Sequence, residues 1–231
     1  LATRQVASAV NTARQFAKND DATNTTLVSQ ARAANGTANI GVLAVDYSNQ
    51  ADFDTEFNAF KNLLYSLEPF ASNRGAFIFQ VVPTMFTRSQ LACDPPPTHT
   101  CLGAYVQCNH AEVRRAAAAA GPADAILVFI RTESRGGCGY FDEGRGAAIA
   151  FSNTRTGTAD DDARVSVHEF SHSFANLLDE YDFPQTGYKE NRNCDTQSSC
   201  PLWMGRVAGA QCLPGCAGNS NAYFRSSPRS L

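Results

Sequence analysis

Two histidines four residues apart, His168 and His172, with a glutamate directly after the first, constrain this chain more than any other feature. On a helix, side chains at that spacing leave one face with Cβ atoms roughly 5–6 Å apart, so both imidazoles can reach one metal ion. Zinc suits the pair, because two nitrogen ligands at about 2.0–2.1 Å leave positions for a carboxylate and a water. Glu169 then stands beside the ion rather than on it, where it can take a proton from the water and deliver it to a leaving amine. The run Ala163-Arg164-Val165-Ser166-Val167 places apolar residues that continue into Phe170, Phe174 and Leu177, with the histidines on a separate stripe. The plain alternative is a helix with two solvent-facing histidines. Against it, the chain has only four histidines and spends two of them here. In this helical context the HExxH pattern predicts a zinc site.

A third protein ligand is needed, and no histidine follows His172. The candidates are Asp179, Glu180, Asp182, Glu190 and Asp195. On an unbroken helix Asp179 would share the angular face of His168 but lie roughly 16 Å along the axis, out of reach of a shared ion. The helix must therefore end soon after His172 and the chain must fold back, with Asn176 the residue best able to take a left-handed turn. After such a turn Asp179 is the favoured ligand and Glu180 its competitor.

The run HEFSHSFANLLDEY over 168–181 resembles the active-site signature of the igalysins, the IgA-protease-like zinc metallopeptidases of the metzincin clan. Members of that family typically read His-Glu-Phe-Gly-His, then a glycine-containing segment, then Leu-x-Asp-Glu-Tyr. Leu177-Leu178-Asp179-Glu180-Tyr181 fits, whereas Ser171 and Ala175 stand where glycines are common. Weaker similarity runs from about Gly41 to Leu231. The resemblance implies that the strand before the zinc helix lies at the sheet edge and pairs with extended substrate, as proteases commonly hold peptides. It also implies a methionine in a tight turn beneath the metal. The segment Ala222–Leu231 looks like the run leading into that turn, so this methionine is expected just after Leu231, in a chain trimmed at its C-terminus. Met204, beside Trp203, is then expected in the core.

The rest of the chain fits a mixed α/β domain. Ile40–Val45, Ala76–Val82 and Ala125–Ile130 are short apolar runs that predict buried strands, the second closed by Pro83. Phe53, Phe57, Phe60, Leu63, Leu64 and Leu67 recur at helical spacing before Pro69, and a second helix is expected around Ala111–Ala120, stopped by Gly121-Pro122. Arg135-Gly136-Gly137-Cys138-Gly139-Tyr140 reads as a glycine-rich turn without the spacing or lysine of a phosphate loop. Gly146–Phe151 reads as a fourth strand, the one before the zinc helix. The β-α-β-α-β order argues for a mixed sheet with helices packed on it.

Residues 1–36 read as a polar helix and connector, an N-terminal extension or linker; 37–231 reads as the catalytic domain, with an upper part to about residue 175 and an irregular, disulfide-rich lower part. A net charge of −3 and a pI near 5.8, without a basic cluster, argue against a nucleic-acid surface. No apolar run approaches the roughly eighteen residues of a membrane span. The start at Leu1, without a methionine or an apolar signal core, is expected to follow removal of any targeting segment. All eight cysteines fall after residue 92, in loop-like sequence, which predicts disulfides and an extracellular or periplasmic home. Local pairing is expected within 93–108 and within 194–216.

Together these features predict a secreted zinc endopeptidase of metzincin-like α/β (α+β) architecture, a mixed twisted sheet with a backing helix and an active-site helix. Zn2+ is held by His168, His172 and Asp179, Glu169 is the catalytic base, the substrate is a protein or peptide, and the chain is expected to be a monomer. Two other classes share these residues. One is an inactive zinc-containing adhesin, against which the intact Glu169 argues. The other is a non-proteolytic zinc amidase.

Overall fold

The computed structural model describes residues 36–67, 70–93, 105–133, 135–140, 147–155, 157–175, 177, 194–195, 197–201, 204, 211–216 and 220–225. Apart from Gly36, the expected N-terminal extension lies outside them, as do Asn176, Asp179, Glu180, Asp182, Glu190, Trp203 and the last six residues. The chain divides into two compact units, one ending at Ala175 and the other following it.

Four apolar runs of the first unit become parallel strands: β1 (Ala38–Val45), β2 (Phe77–Phe86), β3 (Ala125–Arg131) and, further along, β5 (Ala148–Thr154). Between the last two comes β4 (Gly136–Tyr140), antiparallel to β5. The sheet order is β2-β1-β3-β5-β4. The continuous apolar character of β1, β3 and β5 follows from burial on both faces, the condition that parallel strands between helical layers must satisfy.

Helices supply those layers. In α1 (Gln50–Leu64) the side chain of Asn49 caps the first turn by accepting from the N–H of Asp52, and Phe53, Phe57, Phe60 and Leu64 form the buried face. Helix α2 (His110–Ala117) starts at Asn109, which accepts from the N–H groups of Ala111 and Glu112, and ends through a short 3-10 turn at Gly121 (φ 126°). Helix α3 (Ala159–Ala175) carries the histidine pair. The alternation of side chains along the strands sorts the core into two halves. Ile40, Val42, Ala44, Leu127, Phe129 and Ala150 pack with α1 and α3, whereas Leu43, Val45, Ile126, Val128, Ile130 and Phe151 pack with α2. Phe170 of α3 is fully buried, its ring centroid 5.9 Å from that of Phe60. Truncating it to alanine costs about 3–5 kcal/mol.

Three expectations need correction. Strand β2 does not stop at Pro83 but continues to Phe86. It is an edge strand, and between the pairs Val42↔Val81 and Ala44↔Met85 it carries a bulge, where a residue without an N–H is tolerated. The glycine-rich segment 136–140 is not a turn but strand β4. It also takes the edge position expected of the strand before α3, so that strand, β5, is internal, paired with β3 on one side and β4 on the other.

In the second unit, β6 (Leu213–Cys216) and β7 (Ser220–Arg225) form an antiparallel pair, and Asp195 bridges Phe224. Disulfides Cys194–Cys216 and Cys200–Cys212 hold this irregular sequence, as Cys93–Cys108 holds the loop before α2. All three fall within the two clusters expected. Cys138 of β4 is also disulfide-bonded. The placement of Met204 in the core is overturned: the residue is 44% exposed, in a turn that its N–H closes onto the carbonyl of Cys200.

Candidate metal centre

Helix α3 begins with three aspartates, Asp160, Asp161 and Asp162, at the end where the helix dipole favours negative charge. Asp162 is fully buried; its Oδ2 accepts from the N–H of Arg155 at 2.8 Å and the hydroxyl of Thr158 at 2.7 Å. Arg135, just before β4, donates to the carbonyl of Asp161 at 2.7 Å and pairs with Asp162 at 3.4 Å. One turn on, Ser166 bonds Ser152 of β5 at 2.7 Å. The N-terminal half of the helix is thereby anchored to both β4 and β5.

The C-terminal half carries the functional candidates. Ala163, Val167 and Phe170 face the core, while His168 and His172 are half-buried on the adjoining stripe, as the periodicity predicts. Their rings stand edge to face with centroids 4.4 Å apart, and the two Nε2 atoms approach to 2.9 Å. Two nitrogens bound to one tetrahedral ion at about 2.0–2.1 Å would be about 3.3 Å apart, so a rotation of a few tenths of an ångström adapts the pair to zinc. Two imidazole nitrogens brought together on one helix face are the donor chemistry zinc takes, and the residues present fit it. Ser171, standing where glycine is common in the resembling family, donates to the carbonyl of Val167 at 2.8 Å and keeps its hydroxyl satisfied within the helix. The helix ends at Ala175, three residues after His172, which meets the requirement that it stop early.

Glu169 is buried, at 8% exposure, and lies against the edge strand. A Cβ on Gly137 would fall 2.5 Å from its Cγ and 3.0 Å from its Cδ. A Cβ on Gly139 would fall 2.4 Å from the Cβ of His172 and 2.5 Å from the carbonyl oxygen of Glu169. Only glycine lets a strand backbone come this close to a helix. The signal was present in the sequence as glycines at alternate positions, 137 and 139, with Cys138 between them.

The favoured third ligand, Asp179, and its competitor Glu180 lie outside the described residues. Among the described residues no group of three metal-binding side chains converges. Asp195 is fully buried in the second unit, where its Oδ1 accepts from the N–H of Gln197 at 2.9 Å.

A second polar cluster escaped the sequence reading. Glu56 of α1 is 3% exposed; Arg131, at the end of β3, donates to its Oε1 at 3.0 Å. The Arg131 guanidinium also lies 4.5 Å over the ring of Tyr47, whose hydroxyl bonds Thr154 at 2.8 Å. Burial pushes the Glu56 carboxyl up to about 7; the charges of Asp162 and Asp52 add to the rise, against the opposing pull of Arg131. No motif announces this cluster, since its members come from separate elements.

A sequence model of the family described as IgA peptidase M64 matches residues 39–198, more than half of the 231-residue chain, from within β1 to beyond α3. No curated protein matches the chain.

Proposed function

The chain belongs to the IgA peptidase M64 family, the igalysins, and from that membership we propose that it is a secreted, zinc-dependent endopeptidase. The observation that carries the reading is the approach of the His168 and His172 Nε2 atoms to 2.9 Å on one helix, with Glu169 between them in sequence. His168 and His172 hold the ion, with Asp179 as the third ligand. Bound there, zinc supplies Lewis-acid polarisation of the scissile carbonyl and of a water molecule. Glu169 takes a proton at its carboxylate and then returns it to the leaving amine. Its burial against Gly137 shields the carboxylate from bulk water and limits the positions it can adopt. Edge strand β4, in the role expected of β5, offers its outward backbone groups to an extended peptide. Protein or peptide is the substrate class.

Secretion is supported by the cysteines, none of which is free among the described residues. No described helix is long and apolar enough to cross a membrane.

A peptide-library digest read by mass spectrometry tests the reading. The zinc-loaded protein should cut internal bonds, and a strong chelator should stop it. Glu169→Gln, which keeps the shape but removes the basic carboxylate, should retain zinc while the rate falls by about 10²–10⁴-fold. Undiminished cleavage by Glu169→Gln would remove the glutamate from the mechanism.

A further inference from the structure

Strand β4 is fixed from both sides. On its inner edge it pairs residue by residue with β5, from Gly136↔Asn153 to Tyr140↔Ile149. On the face away from α3, the hydroxyl of Tyr140 donates to Gln107 Oε1, and Gln107 Nε2 donates to the sulfur of Cys138 at 3.2 Å. Cys138 is in addition disulfide-bonded. Gly136 takes φ 152°, and a Cβ there would fall 2.0 Å from the ring of Tyr105. The loop carrying Tyr105 and Gln107 is itself tied to β5, through the Val106 N–H to Asn153 Oδ1 at 2.8 Å and the Asn153 amide back to the Val106 carbonyl at 3.0 Å. The strand therefore cannot retreat from α3 without breaking these contacts.

Its other face is bare backbone at two alternate positions. Gly137 meets the Glu169 side chain, and Gly139 meets the His172 Cβ and the helix backbone. We propose that β4 is a positioning template for the site. Gly137 fixes where the Glu169 carboxylate rests, and Gly139 fixes the depth of the helical turn that aims His172. Both are positioning residues, and the inference rests on the zinc-peptidase reading above. It divides two functions between positions two residues apart: the wall under the base at 137, the seat of a metal ligand at 139.

The division gives each glycine its own readout. Gly139→Ala must push the His172 turn outward, so zinc affinity, measured by competition with a chromophoric chelator, should fall about 10–100-fold, the range for losing a group that orients a ligand. With zinc in excess, its kcat should recover in part, since a Cβ at 139 also meets the carbonyl oxygen of Glu169 at 2.5 Å. Gly137→Ala should leave zinc affinity within about threefold, while kcat falls about 10²-fold at an unchanged KM, the scale of a displacement near 1 Å at a reacting group. Gly75→Ala, where a Cβ meets nothing within 4 Å, sets the background. Equal losses of affinity and kcat in both variants, in step with a lower melting temperature, would overturn the template, as would wild-type behaviour in both.

A Cβ at 137 also meets the carbonyl oxygen of Phe151 at 2.3 Å, and one at 139 meets that of Glu169 at 2.5 Å, so either variant can fail to fold. A measurement on the unaltered protein covers that case. In an NMR titration with zinc alone, the amide signals of Gly137 and Gly139 should shift together with those of His168 and His172, while that of Gly75 stays put. Glycine amides unmoved beside shifted histidines would defeat the template and leave the zinc site standing. Absence of zinc binding in the wild type would defeat the peptidase reading itself.

Discussion

Arg131 donates to one oxygen of the buried Glu56 carboxyl, while the other, Oε2, accepts no hydrogen bond among the described residues. A half-satisfied buried carboxylate is costly, and its cost falls on the ionised form. The folded-state value is raised from 4.5 to about 7, so folding takes up a proton at Glu56 between those values. Stability contributed by this uptake is fully present below pH 4.5 and is lost as the pH rises through about 7. The shift corresponds to roughly 3 kcal/mol at most. Glu56→Gln keeps the shape without the charge, so its stability relative to wild type should rise between pH 4.5 and 8. Denaturant unfolding of the two proteins across that range isolates Glu56 from Asp52, Asp162 and Tyr47, which both proteins share. Parallel profiles would show that Glu56 titrates normally.

That pairing also shows where reading the sequence alone stops. Strands β1 and β3 were legible because burial on both faces forces unbroken apolar runs, and α1 because phenylalanines recur at its period. The histidine pair was legible because i, i+4 spacing has one meaning on a helix. Glu56 and Arg131, 75 residues apart, are joined only by the packing of α1 on the sheet. Strand β4 is not legible for a related reason: Gly136, Gly137 and Gly139 carry no strand preference of their own, and their conformation is set by β5 on one side and α3 on the other. Pro83 reads as a stop in the sequence because its tolerance depends on β2 being an edge strand, a property of the sheet order.

Removing one imidazole tests the metal centre. His172→Ala leaves His168 Nε2 without the imidazole nitrogen that faces it at 2.9 Å. Elemental analysis should find about one zinc per chain in the wild type and almost none in the variant. The affinity loss should exceed the roughly 10–100-fold typical of losing an outer partner of a ligand. Stoichiometric zinc in His172→Ala would place the metal elsewhere.

The cysteines give a prediction independent of the metal. Cys93–Cys108, Cys194–Cys216 and Cys200–Cys212 are closed, and Cys138 is bonded as well. A thiol titration of denatured, unreduced protein should therefore read close to zero. Reduction should destabilise the protein by about 2–5 kcal/mol for each bridge lost. Several titrating thiols would argue for a reducing compartment and against secretion.

The third ligand is decided by two variants measured side by side. Helix α3 ends at Ala175, and Leu177 lies outside it. With Asp179 as ligand, Asp179→Asn should weaken zinc binding, because a neutral amide is a poorer donor than a carboxylate to a divalent cation. Activity should then return in part with excess zinc, since Glu169 is untouched. Glu180→Gln should bind zinc nearly as the wild type does. If Glu180 is the ligand and Asp179 orients a histidine from behind, the order reverses: Glu180→Gln suffers the larger loss, and Asp179→Asn the smaller one of an outer partner. Zinc affinities unchanged in both variants would move the third ligand beyond this pair, leaving Asp182, Glu190 and Asp195.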